Sequence, residues 1–237
     1  MMSLSIMGRA LGYPYPAPEG DFVLRDGVAN PLPDGFPLVG RMPVLAVGSN
    51  RAPAQLRHKF GDAAVVPVTV GRLADHDVVY SAHMASYGSI PAILAPAPGT
   101  VVTVSLNWLD DAQLQIMHAT EAIGINYDFG VAGNLDLDFG SGHPVGPVGC
   151  YIGRRGALAL DGYPVALADV RASGRDGESV GQFEILSRVH QRFGATQLFE
   201  EWLGTMVADR IERIALIKAL AKIAMPVSLS SFEIIII

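Results

Sequence analysis

Cysteine is nearly absent from the chain, with Cys150 standing alone. One thiol excludes a disulfide framework and any thiolate zinc site built within a single chain. Positive charge is scarce too, with 17 Lys+Arg against 23 Asp+Glu and a formal net charge of −6. A nucleic-acid binder needs a basic stripe to neutralise phosphates, and none is present. Long apolar runs are missing, although mean hydropathy is +0.32. The most apolar stretch, residues 211–225, carries Glu212, Arg213, Lys218 and Lys222 and stops at Pro226. That falls short of the about 20 apolar residues a bilayer demands, so no membrane partner is expected. Residues 1–11 contain Arg9 and no long apolar core, a poor signal peptide, which makes a cytoplasmic location the expectation.

What is present is enough for a sizeable core. Half of the 237 residues are hydrophobic and 17% are charged, which excludes wholesale disorder. At roughly 150 residues per domain, the length corresponds to one core with extensions. Between residues 12 and 43 stand Pro14, Pro16, Pro18, Pro31, Pro33, Pro37 and Pro43. Proline lacks a backbone donor, so this arm reads as an extended wrapper rather than a central strand or helix.

From Val44 the texture becomes β-like. Val44-Leu45-Ala46-Val47 is apolar throughout, as a buried strand should be, and breaks at Gly48-Ser49-Asn50. Residues 54–60 fit a short helix, with Pro53 in its first turn and Gly61 as its stop. Residues 65–73 and 77–83 read as two strands around an Asp75-His76 turn. Residues 93–95 and 101–108 read as two more, joined by a turn containing Pro96, Pro98 and Gly99. A helix capped by Asp110 should run to Glu121 or Ala122. Further strands are expected at 135–139, 148–152, 157–160 and 165–170, then an amphipathic helix over 180–189 and one or two more over 196–224. The predicted fold is α+β: a curved or closed sheet, a few helices, and a helical C-terminal appendage. The organisation is an arm at 1–42, a core domain at 43–172 and a helical extension at 173–237 packed on the core. The terminal isoleucines, Ile234 to Ile237, form a β-prone tail expected to dock on the core or a partner.

Two places could carry chemistry. Leu114, Met117 and Glu121 share one helical face, which puts a carboxyl at the end of an apolar stripe with His118 beside it. Lost hydration there would favour a general base, while a helix-end Glu turned to solvent or to an Arg is the plainer reading. Gly48-Ser49-Asn50, a strand breaking into a helix, can present backbone N–H groups to a carboxylate or an oxyanion, or can be an ordinary turn. Other motifs fail. Gly140-Ser141-Gly142 lacks a strand–GxGxxG–helix context, Ser49 is followed by Asn50-Arg51 rather than x-Gly, and the six histidines have no metal-ligand spacing. Cys150, inside Val148-Gly149-Cys150-Tyr151-Ile152, reads as a small buried hydrophobe.

Taken in order, these pieces resemble the γ-glutamylcyclotransferase-like family. An apolar strand ends in Gly48-Ser49-Asn50, where the family carries Tyr-Gly-Ser-Asn. Gly88-Ser89-Ile90-Pro91-Ala92-Ile93-Leu94, preceded by Tyr87, is similar to its Gly-x-x-Ala-x-Leu segment. Pro98-Gly99-Thr100-Val101 resembles its Pro-Gly-x-x-Val turn, and residues 109–121 resemble the helix that delivers its catalytic glutamate. Tyr127 follows at the spacing of a pocket tyrosine. The likeness covers about residues 43–170 and implies a small β-barrel flanked by helices. It implies Glu121 as catalytic base, with Val47, Gly48, Ser49, Asn50, Tyr87 and Tyr127 around a small-molecule γ-glutamyl substrate. The implied reaction cyclises that group to 5-oxoproline, needing no metal or cofactor. Val47 departs from the family tyrosine and removes a hydroxyl. Two other readings stand beside this one: a binding or regulatory module on the same fold, and an assembly protein whose C-terminal helices feed a homodimer or partner contact.

Overall fold

The structure, a computed structural model, describes residues 2–139, 146–194 and 196–236. The N-terminus opens with helix α1 (Met2–Leu11), and the proline-rich arm follows. Residues 19–30 contain no proline, and they form a hairpin of β1 (Phe22–Arg25) and β2 (Val28–Pro31). The arm is therefore more than a wrapper. β1 pairs with β2 on one side and with the core sheet on the other, while Pro31 sits at the end of the outer strand, where a missing donor costs little.

β3 (Met42–Ala46) is buried as its apolar run predicts and leads through a 3₁₀ turn (Ser49–Arg51) into α2 (Pro53–Phe60), which Gly61 ends with φ 82°. Next come the two longest strands, β4 (Val66–Tyr80) and β5 (Ala92–Leu109), paired antiparallel along their length. The Asp75-His76 and Pro96–Gly99 turns expected from the sequence are corrections: both lie inside continuous strands. The register jumps there, with Ala74 opposite Val101 and His76 opposite Pro96, so the ribbon carries a bulge at which both strands hold extra residues. Asp75 (φ 56°) and Gly99 (φ 80°) both adopt left-handed backbone, and the Gly99 N–H donates to Asp75 Oδ1 at 2.8 Å, which pins the irregularity. Turn residues mark a change of direction without saying whether pairing stops.

α3 (Asp111–Thr120) follows, with Asp110 and Gln113 forming a reciprocal capping box. β6 (Tyr127–Ala132), absent from the sequence reading, precedes β7 (Leu137–Asp138), all that remains of the strand expected over 135–139. β8 (Val148–Gly153), β9 (Ala157–Leu158), β10 (Ala166–Leu167), β11 (Ala172–Ser173) and β12 (Ser179–Val180) complete the central region. Three helices close the chain: α4 (Gln182–Phe193), α5 (Phe199–Ala208) and α6 (Arg210–Ala221), the last two divided at Asp209, which caps α6. β13 (Ala224–Met225) pairs with β9, and β14 (Glu233–Ile235) pairs with β6.

The fold is mixed α+β, a large sheet running β12-β10-β4-β5-β3-β8-β6-β14 with six helices among the described residues. Among the described residues the path is open, and the closed barrel that the resemblance implies does not form. Two pairs, β10–β12 and β3–β8, are parallel and the rest antiparallel. The main core joins the bent β4–β5 ribbon to α4, α5 and α6 through Tyr80, Leu94, Leu106, Ile185, Trp202 and Leu220. Among the described residues no helix is long and apolar enough to cross a membrane. Gly140-Ser141-Gly142 and His143 lie outside the described residues.

Candidate functional site

The turn after β3 is built by steric exclusion. A Cβ on Gly48 would lie 2.2 Å from Tyr13 Oη, so the arm presses its phenol onto a position that only glycine can fill. Tyr13 is buried, and its hydroxyl accepts the Ala92 N–H at 2.7 Å. The chain then winds on, Arg51 N–H to Gly48 O at 3.2 Å and Ala52 N–H to Ser49 O at 3.0 Å. Val47 is partly buried and packs against the main core. It leaves the hydroxyl beside the turn to come from Tyr13.

Glu121 stands at the C-cap of α3, on the face it shares with Leu114 and Met117. Its Oε1 accepts Asn50 Nδ2 at 2.9 Å, so the two candidate places meet directly. The same oxygen is ion-paired with Lys59 of α2, whose side chain is only 5% exposed against 15% for Glu121. Lys59 also donates to Thr120 Oγ1 at 2.8 Å and approaches Met117 Sδ at 3.3 Å. The lone carboxylate expected at the edge of a core is thus a paired one. Two buried opposite charges satisfy each other where either alone would be costly.

Aromatic side chains surround this pair. Burial pushes the phenols of Tyr127, Tyr87 and Tyr151 above their ordinary range, and the nearby Glu121 charge adds to each. Tyr87 has Ser49 beside it and the Arg9 guanidinium over its ring at 4.9 Å. Tyr80 is turned elsewhere and donates to Val180 O at 3.0 Å. His118 meets Tyr151 Oη at 2.8 Å and stacks edge-on against Phe129. His83, edge-on to Tyr127, is buried beside Ser81 Oγ at 2.9 Å, and burial pulls its pKa down to about 3. Cys150 is buried as its setting predicts, its thiol pushed up to about 12. Among the described residues no group of three metal-ligating side chains occurs.

The polar accounting singles out the same turn. Among the described residues, three buried side-chain atoms have no hydrogen-bond partner: Asn50 Oδ1, Asn107 Oδ1 and Arg51 Nε. Asn107 Nδ2 donates to Asn50 O at 3.0 Å, which joins the two amides, and Arg51 follows Asn50 in the chain. Buried polar atoms are nearly always paired, so these three are the polar groups at and beside the turn that stand open to a further partner. A cavity of about 260 Å³ adjoins the turn, lined by Arg51, Asp169, Gly12 and residues 14–17 of the arm. Glu121 is not among its walls.

Sequence reasoning brought Glu121, Asn50, Ser49, Gly48, Tyr87 and Tyr127 to one region and missed Lys59, Tyr13, Asn107, Arg51 and Asp169. Asn107 had a signal, a polar residue inside the apolar run 104–109. Lys59 had none, since a basic residue ending a short helix reads as a dipole partner. Compared with known proteins, the chain matches no family model, and no curated protein or solved structure gives a match.

Proposed function

We propose that this chain is a γ-glutamylcyclotransferase-like enzyme, acting in the cytoplasm on a small γ-glutamyl amide or peptide. The substrate α-amine attacks its own γ-carbonyl, Glu121 takes the proton, and the ring closes to 5-oxoproline as the amine or amino acid leaves. The observation that carries this reading is the junction of Glu121 with Asn50, flanked by two idle acceptors, Asn50 Oδ1 and Asn107 Oδ1. A substrate ammonium brings N–H donors that match a carboxylate and two amide oxygens. The Gly48-Ser49-Asn50 turn supplies main-chain N–H groups for the oxyanion, and tyrosines line the approach. Intramolecular ring closure asks the protein mainly for positioning, with a base adding roughly 10²- to 10⁴-fold. The closed barrel of the resembled family is not required, because β3, α2 and α3 already bring these groups together.

The Lys59–Glu121 ion pair favours a second reading. A carboxylate held this firmly can serve a pocket that binds the same compounds without turnover. Incubating the wild-type protein with a panel of γ-glutamyl amines and dipeptides separates the two. Release of 5-oxoproline supports the enzyme. Binding without release across the panel supports the module.

A further inference from the structure

The arm cavity is chemically two-sided. Arg51 offers a guanidinium whose Nε is buried without a partner, while Asp169 on the same wall is exposed. Burial lowers the Arg51 pKa from its ordinary value, with Tyr13 and Asp169 opposing that shift. Among the described residues the guanidinium makes no hydrogen bond to Asp169 or to any other side chain, and Arg51 stands on the cavity wall. The arm supplies the rest of the wall. Pro14 and Pro16 have no N–H, so at those positions the main chain offers only carbonyl acceptors between apolar rings. Tyr15, also on the wall, is held at φ 69°, a left-handed backbone rare for an aromatic residue.

From this arrangement we infer that the cavity between the arm, Arg51 and Asp169 binds the zwitterionic head of an α-amino acid. The carboxylate meets Arg51, where planar donors match its two oxygens. The ammonium meets Asp169 and the carbonyls of the arm. A simple dianion is disfavoured by Asp169 and a simple cation by Arg51, so the pair selects a molecule carrying both charges. Size agrees. At about 30 Å³ per water, 260 Å³ holds roughly nine non-hydrogen atoms, the size of a small amino acid. The inference does not depend on the cyclisation reading, because Glu121 is not part of this wall.

The test is calorimetric titration of the full chain with glycine, L-alanine and L-glutamine, alongside propionate and ethylamine, which carry one charge each. The amino acids should bind at least about tenfold more tightly than either half-ligand, and Arg51→Gln and Asp169→Asn should each weaken them by about tenfold or more. The inference is overturned if no amino acid binds, if propionate binds as well as L-alanine, or if Asp169→Asn leaves binding unchanged. Asp169 is exposed, so its variant keeps the test valid even if Arg51→Gln does not fold, with circular dichroism confirming the folded state. Because the readout is binding, a negative result here is distinct from a failure to release 5-oxoproline.

Discussion

At the scale of single residues, the site is governed by what burial does to charge. Lys59 and Glu121 are both largely removed from water, and each holds the other ionised partner in place. Glu121→Gln alone leaves a buried ammonium with only neutral partners, and it should cost about 3–5 kcal/mol in urea unfolding. Adding Lys59→Met should recover most of that loss, since it removes the uncompensated buried ammonium. A double variant no more stable than the single one would mean the two charges are independent. His83 sets a second residue-scale prediction. Its folded pKa of about 3 lies below the ordinary 6.5, so below pH 6.5 the unfolded chain takes up a proton that the folded one refuses. Stability should therefore be full above pH 6.5 and fall toward pH 3, with a slope approaching about 1.4 kcal/mol per pH unit from this group. His83→Asn, which keeps a hydrogen-bonding atom toward Ser81, should flatten that part of the pH profile. An unchanged profile would remove His83 as the cause.

At the scale of elements, the position of Glu121 depends on how α3 begins. The Asp110 side chain accepts the Gln113 N–H at 2.9 Å, while Gln113 Oε1 accepts the Asp110 N–H at 3.2 Å and its Nε2 reaches Val65 O at 3.1 Å. Asp110→Ala should cost about 1 kcal/mol, read as a lower urea midpoint at unchanged m-value. This start was legible in the sequence, because a cap is a local pattern. So were β3, the stop of α2 at Gly61 and the three C-terminal helices apart from the break at Asp209. Legibility failed where an element depends on a distant neighbour. The β4–β5 ribbon looked like four strands because Asp75, Pro96, Pro98 and Gly99 are turn residues, and only cross-strand pairing reveals a bulge. The arm hairpin failed for a related reason: a count of prolines over 12–43 hid the free window from 19 to 30. In the site, Gly48 announced a turn, but the need for glycine there comes from Tyr13, thirty-five positions away in sequence.

At the scale of the whole molecule, the two ends of the chain finish what the central strands begin. The arm covers the Gly48 turn and forms the wall of the Arg51 cavity, while the tail completes the sheet. Glu233, Ile234 and Ile235 pair opposite Val131, Gly130 and Phe129, so the isoleucine run docks through its backbone. Its side chains stay outside, with Ile236 97% exposed. An unpaired strand edge is a template for association, and β14 covers the edge of β6. Truncation before Glu233 should lower Tm by a few degrees and produce concentration-dependent association in size-exclusion chromatography with light scattering. A truncated chain as stable and as dispersed as the full one would mean the tail is ornamental.

The proposed chemistry rests on the carboxylate that joins α3 to the Gly48-Ser49-Asn50 turn. Its most direct measurement is the initial rate of 5-oxoproline release by Glu121→Gln relative to wild type on the best γ-glutamyl substrate, at a temperature where circular dichroism shows both folded. The account predicts a fall of about 10²- to 10⁴-fold. A rate within a few-fold of wild type would contradict it.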